Sequence, residues 1–165
     1  MKHFELTAET KVNIFGITLF RIKALIKSKW ANKGELGGWV ESKEHIIDDG
    51  DAWVSGDAQV YGNARVSGDA RVSGDAWVYG NAQVSGDAWV SGNAWEKSPL
   101  QIQGTNHFVN VYKYFHLKIG CHEFSFKYWK DNYERIGAQN GYDTMQVKEY
   151  GLYIDLAISL YGLGE

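Results

Sequence analysis

The chain has 165 residues, 44% hydrophobic and 22% charged, with 19 Gly, 7 Trp, one Pro, one Cys and a net charge of −3. One Cys excludes an internal disulfide framework and a zinc site built on several thiolates, and the composition is that of a folded chain. A mildly acidic balance argues against general nucleic-acid binding; no apolar run of membrane-spanning length or signal-peptide core is read, so a cytoplasmic protein is expected.

Residues 1–50 read as β-rich. Lys2–Leu6 and Lys11–Phe15 alternate in polarity, and Gly16 offers a turn into Ile17–Leu25. The stretch from Asn32 to Val40 is rich in glycine. Lys23, Lys27, Lys29 and Lys33 cluster around Trp30, a pattern read as solvated surface rather than as a nucleic-acid contact.

From Asp51 to Trp95 the chain repeats every six residues. Ala recurs from Ala52 to Ala94, Val from Val54 to Val90, and a Gly precedes each Ala by two positions from Gly50 to Gly92. The unit is Val-(Ser/Tyr)-Gly-(Asp/Asn)-Ala-(Trp/Arg/Gln). In Ala-x-Val the two apolar residues share one face of a short strand, and the residue between them points the other way. The following Gly-Asp/Asn pair is corner chemistry, since both types tolerate the left-handed backbone of a sharp bend.

The string Val60-Tyr61-Gly62-Asn63-Ala64-Arg65 and its neighbours resemble the hexapeptide repeat of left-handed parallel β-helix proteins, and the wording is most similar to short phage and prophage members. That resemblance implies three hexapeptides per triangular coil, coils related by 18 residues, and left-handed winding, against the general right-handed crossover rule. Eight hexapeptides then make about 2.7 coils. The expected fold is mainly β: a short left-handed parallel β-helix over 51–95, a β-rich N-terminal cap over 1–50, and a C-terminal extension over 96–165.

Adding 18 places Trp53, Arg71 and Trp89 on one outward face, Gln59, Trp77 and Trp95 on a second, and Arg65 and Gln83 on a third with Ile47 beneath. Tyr61 stacks with Tyr79 at a corner, and Asn63 with Asn81 beyond it. A guanidinium between the indoles of Trp53 and Trp89 is expected. Outward tryptophans require cover, whether from the flanks, a second subunit or a partner. The repeats carry five Asp against two Arg, which is the whole net charge, and these acids read as turn chemistry rather than a calcium ladder.

Beyond Trp95, Ser98-Pro99 punctuates the change of pattern. His107–Tyr112 and Phe115–Ile119 read as a β-hairpin. Ser125 caps a helix with Phe126, Trp129, Tyr133 and Ile136 at helical spacing, ended by Gly137 and Gly141. Asp143 or Thr144 caps a second, with Val147, Tyr150, Ile154, Ala157 and Tyr161 on one stripe, giving an αα-hairpin that covers an open edge or makes a subunit contact.

Hexapeptide proteins of the acyltransferase class use a His general base, which the resemblance makes an alternative here. No His lies between His45 and His107, so the repeats supply none and His45 is the candidate from the flanks. Cys121-His122, with His107 and His116, lacks a spaced ligand or triad pattern and reads as a strand-to-helix junction. The favoured expectation is a non-enzymatic binding or inhibitory homo-oligomer without cofactor or metal. Its binding residues are Trp53, Arg71, Trp89, Trp77, Trp95, Tyr61, Tyr79, Asn63 and Asn81. The phage resemblance implies a bacterial host cytosol and, as partner, a CRISPR effector or other defence protein, or a small nucleotide signal. A structural phage component is a further alternative.

Overall fold

Alternating polarity makes Phe4–Val12 (β1) and Thr18–Ala24 (β2) an antiparallel pair in this computed structural model, which describes residues 2–92, 94, 95 and 98–164. In the connecting turn Asn13 Oδ1 accepts the N–H groups of Phe15 and Ile17, and Gly16 takes φ +78°. β2 pairs antiparallel with Leu36–Val40 (β3), and β3 then pairs parallel with the hexapeptides. The N-terminal strands thus extend one wall of the solenoid and cover its first open edge, which removes a template for aggregation.

The hexapeptides form the short strands Trp53–Val54 (β4), Gln59–Val60 (β5), Arg65–Val66 (β6), Arg71–Ser73 (β7), Trp77–Val78 (β8), Gln83–Val84 (β9), Trp89–Ser91 (β10) and Ala94–Trp95 (β11). They stack in three parallel sets. Face A runs β1-β2-β3-β5-β8-β11, face B pairs β6 with β9, and face C runs β4-β7-β10. Each Ala from Ala52 to Ala88 and each Val from Val54 to Val90 is at most 1% exposed, so the interior is an Ala/Val column. Corner glycines make the close stacking feasible: Gly68, at φ +64°, has a notional Cβ only 3.0 Å from the backbone nitrogen of Gly86.

The 18-residue offset holds for Trp53–Arg71–Trp89, Gln59–Trp77 and Arg65–Gln83. It fails at both ends. At the start Val40 pairs with Val60 and Ile46 with Val66, a 20-residue offset, whereas Gly50 already lies against Gly68. The two additional residues therefore lie between Ile46 and Gly50. Ile46, not Ile47, extends the interior column beneath Val66, and the first coil begins with β3, before residue 51. At the other end Trp95 pairs with Val78 and Ala94 with Trp77, so Trp95 leaves the outward row in which 18-residue arithmetic sets it.

Residues Met1–Pro99 form one compact unit and Leu100–Glu165 a second. The second contains Gln101–Gln103 (β12), Phe108–Lys113 (β13), His116–Ile119 (β14) and His122–Ser125 (β15) in a four-stranded antiparallel sheet. The expected hairpin is its β13–β14 centre; β12 and β15 are too short and polar to signal themselves by alternation. Two helices follow, Phe126–Gln139 (α1) and Thr144–Tyr161 (α2). Ser125 caps the first and Asp143 the second, where Asp143 and Gln146 complete a reciprocal capping box. Gly137 does not end α1: it is buried within the helix, with a notional Cβ 2.9 Å from Val147, and lets α2 approach.

Candidate functional site

On face C, Trp53 is 1% exposed, and its ring edge lies 2.7 Å from a notional Cβ on Gly37, alongside Ile22. The cap covers it completely. Arg71 lies over two indoles, but they are Trp30 at 5.7 Å and Trp89 at 5.4 Å, not Trp53 and Trp89. Trp30 comes from the loop before β3 and donates its indole N–H to the Asp69 carbonyl at 2.8 Å. Lys29 beside it bonds Asp69 at 3.1 Å and approaches Asp87 at 3.6 Å, while its backbone N–H donates to Asp51. The Asp69 hydrogen bond, foremost, raises the Lys29 pKa, and the backbone N–H of Asp51, which donates to Asp69 at 3.2 Å, together with Lys29 lowers that of Asp69. Stacked aspartates 18 residues apart thus clamp the N-terminal loop across the solenoid. Trp89 remains half-buried and donates to Ser73 Oγ at 2.7 Å.

Face A carries the accessible aromatic surface. Tyr61 and Tyr79 stack face to face, with ring centroids 5.4 Å apart and planes 8° from parallel. Phe15, from the β1–β2 turn, packs against Tyr61 and edge-on against Trp77, each at 6.3 Å. Tyr61 itself is buried with Leu19 and Trp39, and this burial raises the pKa of its hydroxyl. Lys11 and Arg21 both lie over the Trp39 ring, at 4.4 and 5.3 Å. Above this framework Val12, Ile14 and Phe15 are 60–76% exposed. Asn63 and Asn81 at the next corner bond one another at 3.3 Å. Trp77 and Tyr79 are half-buried here, whereas Trp95 is 3% exposed.

The nine residues singled out from the repeat therefore do not form one surface. Tyr61, Tyr79 and Trp77 come together under the hairpin turn. Trp53 is sealed in, and Trp95 stands level with an interior valine. Trp30 and Phe15 had no periodic signal to mark them, although Ile14 and Phe15 between Asn13 and Gly16 place apolar residues in an exposed turn.

At the corner between faces A and B, Glu41, Ser42, Glu44, His45, Gly62, Asn63, Ala64 and Arg65 line a polar cleft of about 350 Å³. His45 is buried, and its Nδ1 bonds the Ala64 carbonyl at 2.8 Å. A carbonyl only accepts, so Nδ1 carries a proton, and in the neutral ring the lone pair lies on Nε2. Nε2 is 3.8 Å from Glu41 Oε2, which accepts the Gly62 N–H at 2.8 Å. The Ser42 hydrogen bond lowers the pKa of Glu44.

In the second unit a narrow cavity of about 50 Å³ lies among α1, α2 and the β14–β15 turn, walled by Ile119, Trp129, Ile136, Val147 and Ile154. Cys121 is exposed at its rim. The Tyr142 hydroxyl bonds His107 Nδ1, and burial together with Tyr150 pushes the Tyr142 pKa upward. Tyr150 accepts the N–H groups of Asn106 and His107, so its hydroxyl ties α2 to the β12–β13 turn. Among the described residues no cluster of three or more His, Cys, Asp or Glu is placed to hold a metal ion, and no helix is long and apolar enough to cross a membrane.

Three overlapping or adjacent stretches, residues 58–74, 64–80 and 82–97, match the family model described as the YdcK β-solenoid repeat. No curated protein matches the chain. The matched stretches cover the hexapeptides from residue 58 and end at residue 97; the parallel strands and buried Ala/Val column there form a β-solenoid, and residues 1–57 and 98–165 lie outside the match.

Proposed function

We propose that this chain is a non-enzymatic binding protein whose contact surface is the β1–β2 turn seated on face A. One observation carries it: Val12 at the end of β1, with Ile14 and Phe15 in the turn after it, stand 60–76% exposed, and the turn is held by the Asn13 side chain and by Phe15 packing on the Tyr61 and Trp77 rings. Exposed apolar groups on a rigid aromatic base have the character of interface anchors. The Trp53–Arg71–Trp89 row serves instead to hold the cap. The resemblance of the hexapeptides to left-handed β-helix proteins, and of their wording to phage members, supports a left-handed coil acting as a homo-oligomer in a bacterial cytosol. A host defence protein is then the expected partner, with a nucleotide signal held between subunits as the small-ligand form of the same idea. The test is capture from host lysate with the wild-type chain and with an Ile14→Asp/Phe15→Ser variant of unchanged melting temperature. Loss of the captured protein and of biological activity supports the proposal; retention of both overturns it.

A second reading is favoured by His45. A buried imidazole with Nδ1 anchored on a carbonyl and Nε2 facing a polar cleft has the arrangement of a general base. In an acyl transfer it would take the proton of an acceptor hydroxyl or amine as that group attacks an acyl-CoA thioester, then return it to the departing thiolate. Acetyl-CoA binding by calorimetry, with turnover lost in His45→Ala, would establish this activity in place of the first.

A further inference from the structure

We propose that α2 joins two copies of this chain through an antiparallel, two-fold helix pair. α2 is apolar on two opposite sides. Tyr150, Ile154 and Ala157 are buried against the rest of the second unit. On the far side Met145, Leu152, Leu156, Leu160 and, just past the helix, Leu163 are 42–73% exposed. Within the helix the spacings of seven, four and four residues hold Met145, Leu152, Leu156 and Leu160 in one stripe of a 3.6-residue helix, and Leu163 adds an exposed apolar group beyond its end. A helix apolar on two opposite sides has more apolar surface than its own unit covers, and four large side chains in one stripe with Leu163 beyond them exceed the scattered exposure of ordinary monomers.

Charge and area both point to a second copy as the occupant. Lys148 and Asp155 flank the stripe on the same side and lie almost symmetrically about Leu152; Asp155 pairs through one oxygen with Lys130 of α1 at 2.5 Å, so a second cation would share its carboxylate. In an antiparallel helix pair the like flanks of the two copies face each other in reverse order. Lys148 of one copy then meets Asp155 of the other, twice, with Leu152 near the axis and Met145 level with the partner copy's Leu160. The stripe presents roughly 500 Å² per copy, so the pair buries on the order of 1,000 Å², the lower bound for a specific interface. A self-complementary patch of this kind closes on itself as a dimer and leaves no propagating surface.

The experiment uses the full chain at micromolar concentration, with sedimentation and native mass spectrometry for mass and circular dichroism for folding. The wild type is expected as a dimer. Leu152→Glu should give a folded monomer, and Lys148→Glu should weaken the dimer at least fivefold by setting two acids together. A Met145→Cys/Leu160→Cys variant, made with Cys121→Ser, should oxidise to a covalent dimer, while either single cysteine should not, because only antiparallel pairing brings those two positions together. A wild-type monomer overturns the proposal. So does a dimer that survives Leu152→Glu, or one that cross-links through Met145→Cys alone.

Discussion

Trp95 stands in register with Val78, one position away from Trp77. Side chains alternate across a strand, so a one-residue slip changes which face a residue joins. Trp95 is consequently 3% exposed, at the end of the hexapeptide column, where a large ring covers a row that elsewhere needs only valine. Trp95→Ala should destabilise the chain by about 3–5 kcal/mol, as buried aromatic truncations do. Trp77→Ala, on a half-buried ring, should cost less. Denaturant midpoints of the two variants at constant slope make the comparison.

The cap is tied to the solenoid through Arg71, which lies over Trp30 and Trp89. A double-mutant cycle on Trp30→Ala and Arg71→Ala should return a coupling of roughly 0.5–2 kcal/mol. The same cycle on Trp53 and Arg71 should return a smaller value. Equal couplings would mean that Arg71 senses the Trp53 ring as much as the Trp30 ring.

Gly37 is a point of enforced close approach. A Cβ there would lie 2.5 Å from both Ile22 and the Val54 carbonyl oxygen, and 2.7 Å from the Trp53 ring. Backbone cannot yield as a side-chain tip does, so Gly37→Ala should destabilise by about 1–3 kcal/mol. Gly34→Ala, at φ +86° with open space around it, tests backbone conformation without the collision. Thermal unfolding of both separates the two effects.

Asp48 sits in the segment that carries the two additional residues of the first coil, and His3 bonds its carboxylate at 3.0 Å. His3 also bonds the Ala52 carbonyl at 2.9 Å through Nε2, so the pair pins the start of β1 to the solenoid. The His3 hydrogen bond, foremost, holds the Asp48 pKa below its ordinary value. A carboxylate depressed in the folded state contributes stability above its unfolded pKa and loses it as pH falls through the folded one. Unfolding measured from about pH 5 down to pH 2 should therefore show a smaller acid-induced loss in Asp48→Asn than in the wild type. An unchanged pH slope would remove Asp48 from the acid response.

The repeat was legible because its chemistry is local. Ala-x-Val and Gly-Asp/Asn state a two-residue strand and a corner without reference to anything distant, and the interior column from Ala52 to Val90 follows. The helix caps at Ser125 and Asp143 were legible for the same reason, since a cap bonds the N–H groups two or three residues ahead. The roles of Phe15 and Trp30 were not, because their partners, Tyr61 and Asp69, lie 46 and 39 residues away; His45 was singled out as a candidate, but its anchor on the Ala64 carbonyl, 19 residues on, was not.

By itself, then, the sequence determined a β-solenoid with an Ala/Val interior and outward aromatic rows. Periodicity encodes which face a residue takes, and burial of small apolar groups does the rest. Only the tertiary structure decided which aromatics stay accessible. The cap folds back over face C and seals Trp53, the terminal slip moves Trp95 level with Val78, and the surface left open is the turn at Val12–Phe15. Cover depends on which distant segment crosses which wall, and a six-residue repeat carries no term for that.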